Sequence, residues 1–261
     1  MAPDLKNCRW ELDGQGVAVL TIDREQVRNA LDLDTWLDLE HFVDFAETEP
    51  SIKAIVLTGA GRKSFAAGAD LRMMLEKGAV DVLNGTSQRV VTKFETCSKA
   101  IVAAINGHAF GGGFEVALAC DIRIMAEHAK LGLPETGLGL LPGVGGSQRL
   151  TRVVGMGRAK EIILAGRVVS AQEAVDMGLA YQCVGGDALL ETAKACAAAI
   201  AAKGPLAVRL AKRAIRASLS TDQENGMLIE MLCLSILCGS EDKREGVQAF
   251  LEKRLPEFKG R

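Results

Sequence analysis

Neither sign of charge dominates this chain: 31 Lys and Arg stand against 33 Asp and Glu, for a formal net charge of −2. That excludes a general electrostatic attraction to nucleic acid or to an anionic membrane, so any anionic ligand must be recognised locally. The seven cysteines, at 8, 97, 120, 183, 196, 233 and 238, include no Cys-x-x-Cys pair and no matching His cluster among the three histidines. A zinc site or a disulfide framework is therefore not expected, and the cysteines read as reduced, mostly buried small hydrophobes. Long hydrophobic runs are missing too. The apolar stretch Met227 to Cys238 is interrupted by Glu230 and is too short to span a bilayer, so it reads as a core or subunit-interface helix. The start, Met1 to Lys6, has neither the apolar core of a secretory signal nor an Arg-rich, acid-poor import leader, and a cytoplasmic location is expected. No fixed-period repeat is apparent.

What is present suits a sizeable core. Hydrophobic residues make up 48% of the 261, and 28 glycines suit many tight turns, in one large domain or a core with an accessory element. Gly16 to Ile22 reads as an early strand, followed by an amphipathic helix from Leu31 to Ala46 that Pro50 brings to an end. Further strands are expected near 54 to 58, 101 to 105, 122 to 125 and 180 to 184. Ser170-Ala171-Gln172-Glu173 is a capping box opening a short helix, which Gly178 closes. From Asp187 onward the pattern is helical: to Lys203, from Leu206 to Ser218 after the Gly204-Pro205 break, from Asp222 to Cys238, and a last helix after Ser240. The hydroxyl of Ser240 can cap that last start, and Glu241 and Asp242 suit its dipole.

The chemistry concentrates between Ile105 and Leu150. A triple glycine, Gly111 to Gly113, leads into Glu115 and the apolar run Val116 to Ala119, a helix start, and Glu135 follows in Leu133-Pro134-Glu135. Bare backbone lets a substrate approach closely, and the unpaired amides of a helix start favour a negative oxygen. An acyl thioester would use such amides to hold its enolate oxygen while two carboxylates in different surroundings move protons to and from carbon and water. Ser64-Phe65-Ala66-Ala67-Gly68-Ala69-Asp70-Leu71 follows the apolar run Ala54 to Thr58 and the Gly59-Ala60-Gly61 break, so it repeats the order strand, small-residue turn, helix.

These segments, with Asn106 to Glu115, Asp121, Leu133-Pro134-Glu135 and Pro142-Gly143-Val144-Gly145-Gly146-Ser147-Gln148-Arg149-Leu150, resemble the crotonase, or enoyl-CoA hydratase/isomerase, family in order, spacing and residue type. The resemblance runs from about Val17 to Phe258. It implies an α/β fold, a spiral of strand-strand-helix units, with residues 1–195 as the core carrying the acyl-CoA site. Residues 196–261 would form a C-terminal helical region that assembles trimers or hexamers. It places the oxyanion amides at Ala69 and Gly112 and the catalytic carboxylates at Glu115 and Glu135. Joint presence of both glutamates favours reversible syn hydration of a trans-2-enoyl-CoA to a 3-hydroxyacyl-CoA, as in fatty-acid β-oxidation. No metal or redox cofactor is implied, coenzyme A being part of the substrate. Acyl-CoA contacts are implied around Gln26, Val27 and Arg28, at Ala67, Gly68, Asp70, Leu71 and Arg72, and at Gly111, Pro134 and Gly143. Phe250 and Lys253 resemble a segment that reaches the coenzyme A site of a neighbouring subunit.

The sequence departs from the family at two points. Phe114 stands where many short-chain hydratases have Cys and is expected to pack beneath the helix. His108 stands where many relatives have Tyr, and a structural role is expected of it although its ring can titrate near neutral pH. Two rival activities accompany the resemblance. One is isomerisation or dehydration of a specialised acyl-CoA, as in carnitine or aromatic acid metabolism. The other is RNA binding through a lysine-rich helix, for which Arg89, Lys93 and Lys99, interrupted by Glu95, make a poor footprint. The acyl pocket is expected to be shaped by Met73, Met74, the 76 to 88 loop and the C-terminal helices.

Overall fold

The segments that read as strands lie side by side. The computed structural model describes residues 2–261. Its strands are β1 (Cys8–Leu12), β2 (Val17–Ile22), β3 (Ala54–Gly59), β4 (Ser64–Ala66), β5 (Ala100–Ile105), β6 (His108–Phe110), β7 (Ile122–Ala126), β8 (Lys130–Gly132), β9 (Val169–Ser170) and β10 (Gln182–Val184). The helices are α1 (Leu33–Thr48), α2 (Leu71–Glu76), α3 (Ala79–Leu83), α4 (Thr86–Thr96), α5 (Gly112–Ala119), α6 (Gly146–Leu164), α7 (Ala171–Asp176), α8 (Leu189–Ala201), α9 (Pro205–Ala217), α10 (Gln223–Cys238) and α11 (Glu241–Glu252). The stretch expected as a 76 to 88 loop thus forms short helices, most of their residues exposed.

One sheet has the strand order β1-β2-β3-β5-β7-β10, parallel except for the β1–β2 pair. Its register sets Val56 between Val19 and Val102. Strands β2, β3 and β5 are buried along their whole length, so they read as unbroken apolar runs rather than alternating ones. β1 has no such run. It is held from outside, by Asp38 of α1, whose Oδ2 accepts the Asn7 and Cys8 amides at 2.6 and 3.0 Å.

A second sheet, β4-β6-β8-β9, sets β4, β6 and β8 parallel to one another. The chain builds it in three similar steps. β3, β5 and β7 of the large sheet are each followed by a short strand of the small one, β4, β6 or β8, and then by a helical start: α2, α5 or the 3-10 turn Glu135–Leu138. This is the strand-strand-helix unit of the expected spiral. The steps are locked together. Asn106, between β5 and β6, accepts the Gly59 amide at 3.0 Å and donates to the Gly61 carbonyl at 2.8 Å. Gly107 lies so near the Lys63 backbone that a Cβ there would come within 2.4 Å of its carbonyl carbon. Because β4, β6 and β8 are parallel neighbours, the three helical starts emerge along one edge of the sheet.

α8 runs through position 195 and lies across β2, β3, β5 and β7, with Ala197 and Ala201 in the core. The helices that stand off the sheet begin at α9, which Lys212 ties to the core by bonds to Asp121 at 2.6 Å and the Lys99 carbonyl at 2.8 Å. On α10 the side chains of Met227, Met231, Leu234 and Ile236 are all exposed. Among the described residues, no helix is long and apolar enough to cross a membrane. Cys8, Cys97, Cys120 and Cys233 are buried, while Cys183 and Cys196 are partly covered and Cys238 is exposed.

Candidate active site

The turn after β4 carries the first free amide. Gly68 has φ +97°, a left-handed conformation that glycine takes without steric cost, and its carbonyl accepts the Leu31 amide at 2.8 Å. Asp70 donates its amide to the Leu31 carbonyl at 3.3 Å and caps α2 by accepting the Arg72 amide at 3.0 Å. Between them the Ala69 amide has no acceptor among the described residues. The Gly112 amide, first in α5, has none either, as expected of a helix start. The two turns touch: a Cβ on Gly68 would lie 3.5 Å from the Gly112 nitrogen, and one on Gly112 would lie 3.9 Å from the Ala69 nitrogen. Two adjacent free amides can donate to one oxygen, the geometry that stabilises an enolate.

Glu115 sits one turn into α5 and is only 1% exposed. Its Oε1 accepts the amides of Val144 and Gly146, each at 2.7 Å. Burial pushes the carboxyl up to about 7 despite these bonds, and the charge of Glu135 adds to the rise. Glu135 opens the 3-10 turn after β8 and lies beside the glycine triplet, its Oε1 3.0 Å from where a Cβ on Gly111 would be. Its Oε2 is buried without a hydrogen-bond partner, and burial raises its pKa as well. A carboxyl oxygen buried without a partner favours the protonated form, which suits the group to hold a proton for transfer.

One consequence is thermodynamic. A carboxyl whose pKa is raised on folding favours the folded state most below its ordinary value of 4.5, and that contribution is lost as the pH climbs through about 7. The rise corresponds to on the order of 3 kcal/mol. Glu115→Gln, which keeps an oxygen for the two amides but carries no charge, should therefore be more stable than the wild type at pH 8 and lose that advantage at pH 4. Urea unfolding across this range reads the difference, and a difference that does not change with pH would refute the buried charge.

The other expected residues fall into two groups. Arg28, in left-handed conformation with φ +56°, accepts the Ala67 amide on its carbonyl at 3.1 Å, and the exposed Gln26 and Val27 precede it in a 3-10 turn. Arg28, Ala67, Lys63 and His108 line one cavity of about 480 Å³, while Leu71 and Arg72 are exposed at the start of α2. Pro134 directly precedes Glu135, and Gly143 accepts Gln88 Nε2 on its carbonyl at 2.8 Å. Phe250, 83% exposed, and Lys253 lie on and just after α11, which packs on α10 and is not brought to the catalytic glutamates within the chain. Phe114 is fully buried, as expected of a packing residue. His108 is not anchored as a structural role would suggest: its Nδ1 is buried without a partner, and burial lowers its pKa.

Sequence reasoning missed the clamp on Glu115. In the sequence Val144 and Gly146 stand out only as part of a motif, yet their amides hold the carboxylate. The turn is fixed in its own right by Arg149, which donates to the Val144 carbonyl at 3.0 Å and to Glu95 of α4 at 2.6 Å. The available signal was Gly145, with φ +99°, where a Cβ would run into the Arg149 guanidinium.

The sequence pattern of the enoyl-CoA hydratase/isomerase family matches residues 13–261. A short-chain-enoyl-CoA hydratase of Clostridium acetobutylicum is 40% identical over 261 residues, 99% of this chain and 100% of the relative. A crotonyl-CoA hydratase of Syntrophomonas wolfei is 41% identical over 244 residues, covering 93% of this chain and 94% of the relative. The crystal structure of an enoyl-CoA hydratase from Bacillus anthracis superposes with a TM-score of 0.94 at 40% identity, over 98% of this chain and 100% of that one.

Proposed function

The chain belongs to the enoyl-CoA hydratase/isomerase family, and from that premise we propose that it is a 2-enoyl-CoA hydratase working through Glu115 and Glu135. The observation that carries the reading is the pair of carboxylates, Glu115 buried and Glu135 with one oxygen buried, both raised in pKa and set beside the two free amides of Ala69 and Gly112. Glu115 takes a proton from water as its oxygen adds to C3 of the enoyl thioester. The electron pair of the double bond moves toward the thioester carbonyl, whose oxygen is held by the two amides. Glu135 then delivers a proton to C2, giving the 3-hydroxyacyl-CoA, and dehydration runs through the same transition state. The chemistry needs no metal or redox cofactor. Hydration is tested by the loss of the conjugated enoyl-thioester absorbance when crotonyl-CoA is added; no loss with crotonyl-CoA or longer enoyl-CoAs would overturn the reading.

Coenzyme A would pass between the Arg28 turn and the Ala67–Arg72 segment, where small residues and local cations meet. The exposed apolar face of α10 supports self-association through residues 196–261 as a trimer or a dimer of trimers, with Phe250 and Lys253 reaching a neighbour's nucleotide. Light scattering should then give three or six chain masses, and Lys253→Glu should raise KM for acyl-CoA with kcat little changed. A monomer at micromolar concentration would count against the assembly, and an unaltered KM against the contact. Nucleic acid finds little purchase: Arg89 and Lys93 of α4 are already paired with Glu40, and Lys93 also with Asp44. We place this activity in the cytoplasm.

A further inference from the structure

Outside glycine, left-handed backbone occurs at three of the described residues: Arg28, Asn29 and Lys253, with φ of +56°, +56° and +57°. Lys253 closes α11, where a left-handed residue is an ordinary way to end a helix. Arg28 likewise closes the 3-10 turn Glu25–Val27. Asn29 then repeats the conformation. L-residues visit this region singly, so two in succession must be imposed by their surroundings.

The imposing contacts come from Asn29 itself. Its side chain is fully buried; Oδ1 accepts the Arg24 amide at 3.0 Å, and Nδ2 donates to the Ala60 and Ser64 carbonyls at 3.0 and 2.8 Å. Gly59 keeps room for it, since a Cβ there would lie 2.7 Å from Nδ2. Ala60 follows β3 and Ser64 opens β4, so one side-chain amide fastens the 28–31 segment to the strand that leads into the 67–70 turn. Backbone bonds continue the attachment. The Arg28 carbonyl accepts the Ala67 amide at 3.1 Å, the Leu31 amide donates to the Gly68 carbonyl at 2.8 Å, and the Leu31 carbonyl accepts the Asp70 amide at 3.3 Å. The last two form a parallel bridge between Leu31 and Ala69. In such a bridge the residue flanked by the two bonds turns its own amide and carbonyl away from its partner's backbone. The Ala69 amide is thereby left free and faces outward from the bridge, beside Gly112.

We propose that Asn29 is a positioning residue for the oxyanion site, an inference that rests on the hydratase reading: by holding the left-handed 28–29 turn against Ala60 and Ser64, it sets where the Ala69 amide points. Its side chain bonds only to backbone, so it acts through Leu31 and Gly68 and on one of the two oxyanion donors. A small slip of the turn costs more in rate than in binding, because the amide is needed most when negative charge develops on the thioester oxygen. Two substitutions loosen the hold differently. Glycine takes the same φ freely but makes none of the three side-chain bonds. Aspartate keeps an acceptor for the Arg24 amide and sets an oxygen against the Ala60 and Ser64 carbonyls.

The experiment follows hydration at saturating crotonyl-CoA and, separately, the thioester carbonyl stretch of bound butanoyl-CoA by isotope-edited infrared difference spectroscopy. Butanoyl-CoA has no double bond to hydrate, so its carbonyl reports the donors without turnover. In the wild type the stretch should lie below its value in water. In Asn29→Gly and Asn29→Asp, kcat per folded protein should fall by about tenfold to a hundredfold. The stretch should move back toward its value in water, and the pH dependence should keep its wild-type midpoints. A residue that only stabilised the fold would lower the melting temperature and leave kcat and the stretch unchanged; that result in either folded variant overturns the proposal and leaves the hydratase reading intact. Loss of the fold in both variants also overturns it, because Asn29 then holds the core and not one amide. A wild type that hydrates crotonyl-CoA but leaves the butanoyl-CoA stretch at its value in water removes the oxyanion assignment, and this proposal with it. A wild type that hydrates neither crotonyl-CoA nor longer enoyl-CoAs overturns the hydratase reading itself.

Discussion

Glu115→Gln and Glu135→Gln should each lower kcat for crotonyl-CoA hydration by roughly two to four orders of magnitude, the range expected when a general acid or base is removed. Glutamine preserves the shape of both sites. At position 115 its amide oxygen can still accept from Val144 and Gly146, so the turn stays in place while the group that would take a proton from water is gone. At position 135 it leaves a partnerless polar group where the carboxyl Oε2 lies buried. KM should change little, because neither carboxylate is placed against the nucleotide. The pH profile reports on the pair. For hydration Glu115 must be ionised and Glu135 protonated, so kcat/KM should pass through a maximum, falling at lower pH as the pair takes up a second proton and at higher pH as it loses its only one. The active pair holds one proton between two carboxyls, and its apparent values belong to the pair. Near-normal rates in both variants, or a rate without such a maximum, would refute the mechanism.

How much of this was legible in the sequence depended on whether the determining contacts are local. The strands Val17–Ile22, Ala54–Gly59 and Ala100–Ile105 were visible because burial on both faces leaves an uninterrupted apolar run. Caps were visible for the same reason: Ser170 and Glu173 bond each other's backbone within one turn, and Ser240 accepts the Lys243 amide at 3.1 Å. The glycine triplet and the two glutamates were legible as residue types in a pattern. Their surroundings were not. The amides on Glu115 come from 29 and 31 residues downstream, and the arginine that fixes their turn is held by a glutamate 54 residues upstream of it. β1 escaped because Asp38, some 30 residues away, supplies what its own sequence lacks. Residues 76 to 88 read as a loop because they are exposed and include Gly78, Asn84 and Gly85, yet short helices form among them. α8 is Ala-rich and uniform, and nothing in its composition says that it packs on the sheet.

The second large effect should come from a single methyl group: Gly68→Ala is expected to reduce kcat by about a hundredfold to a thousandfold, the cost of losing one oxyanion donor. At φ +97° an L side chain is strained wherever it points, and this one would point at backbone, 2.8 Å from the Phe110 carbonyl oxygen. Phe110 cannot easily yield. It lies in β6, which is paired on one side with β4 and on the other with β8, where it faces Gly132. The 67 to 70 turn must move instead, and the Ala69 amide, on the next residue, moves with it relative to Gly112. The glutamates stand on other segments, so the pH dependence should keep its wild-type midpoints while its height falls, a combination that partial unfolding would not produce. Gly14→Ala supplies the comparison, since a Cβ there meets nothing within 4 Å, and its rate should match the wild type. If Gly68→Ala retains full kcat in a folded protein, the Ala69 amide is not holding the oxygen on which negative charge develops, and stabilisation of the enolate must be assigned to other donors.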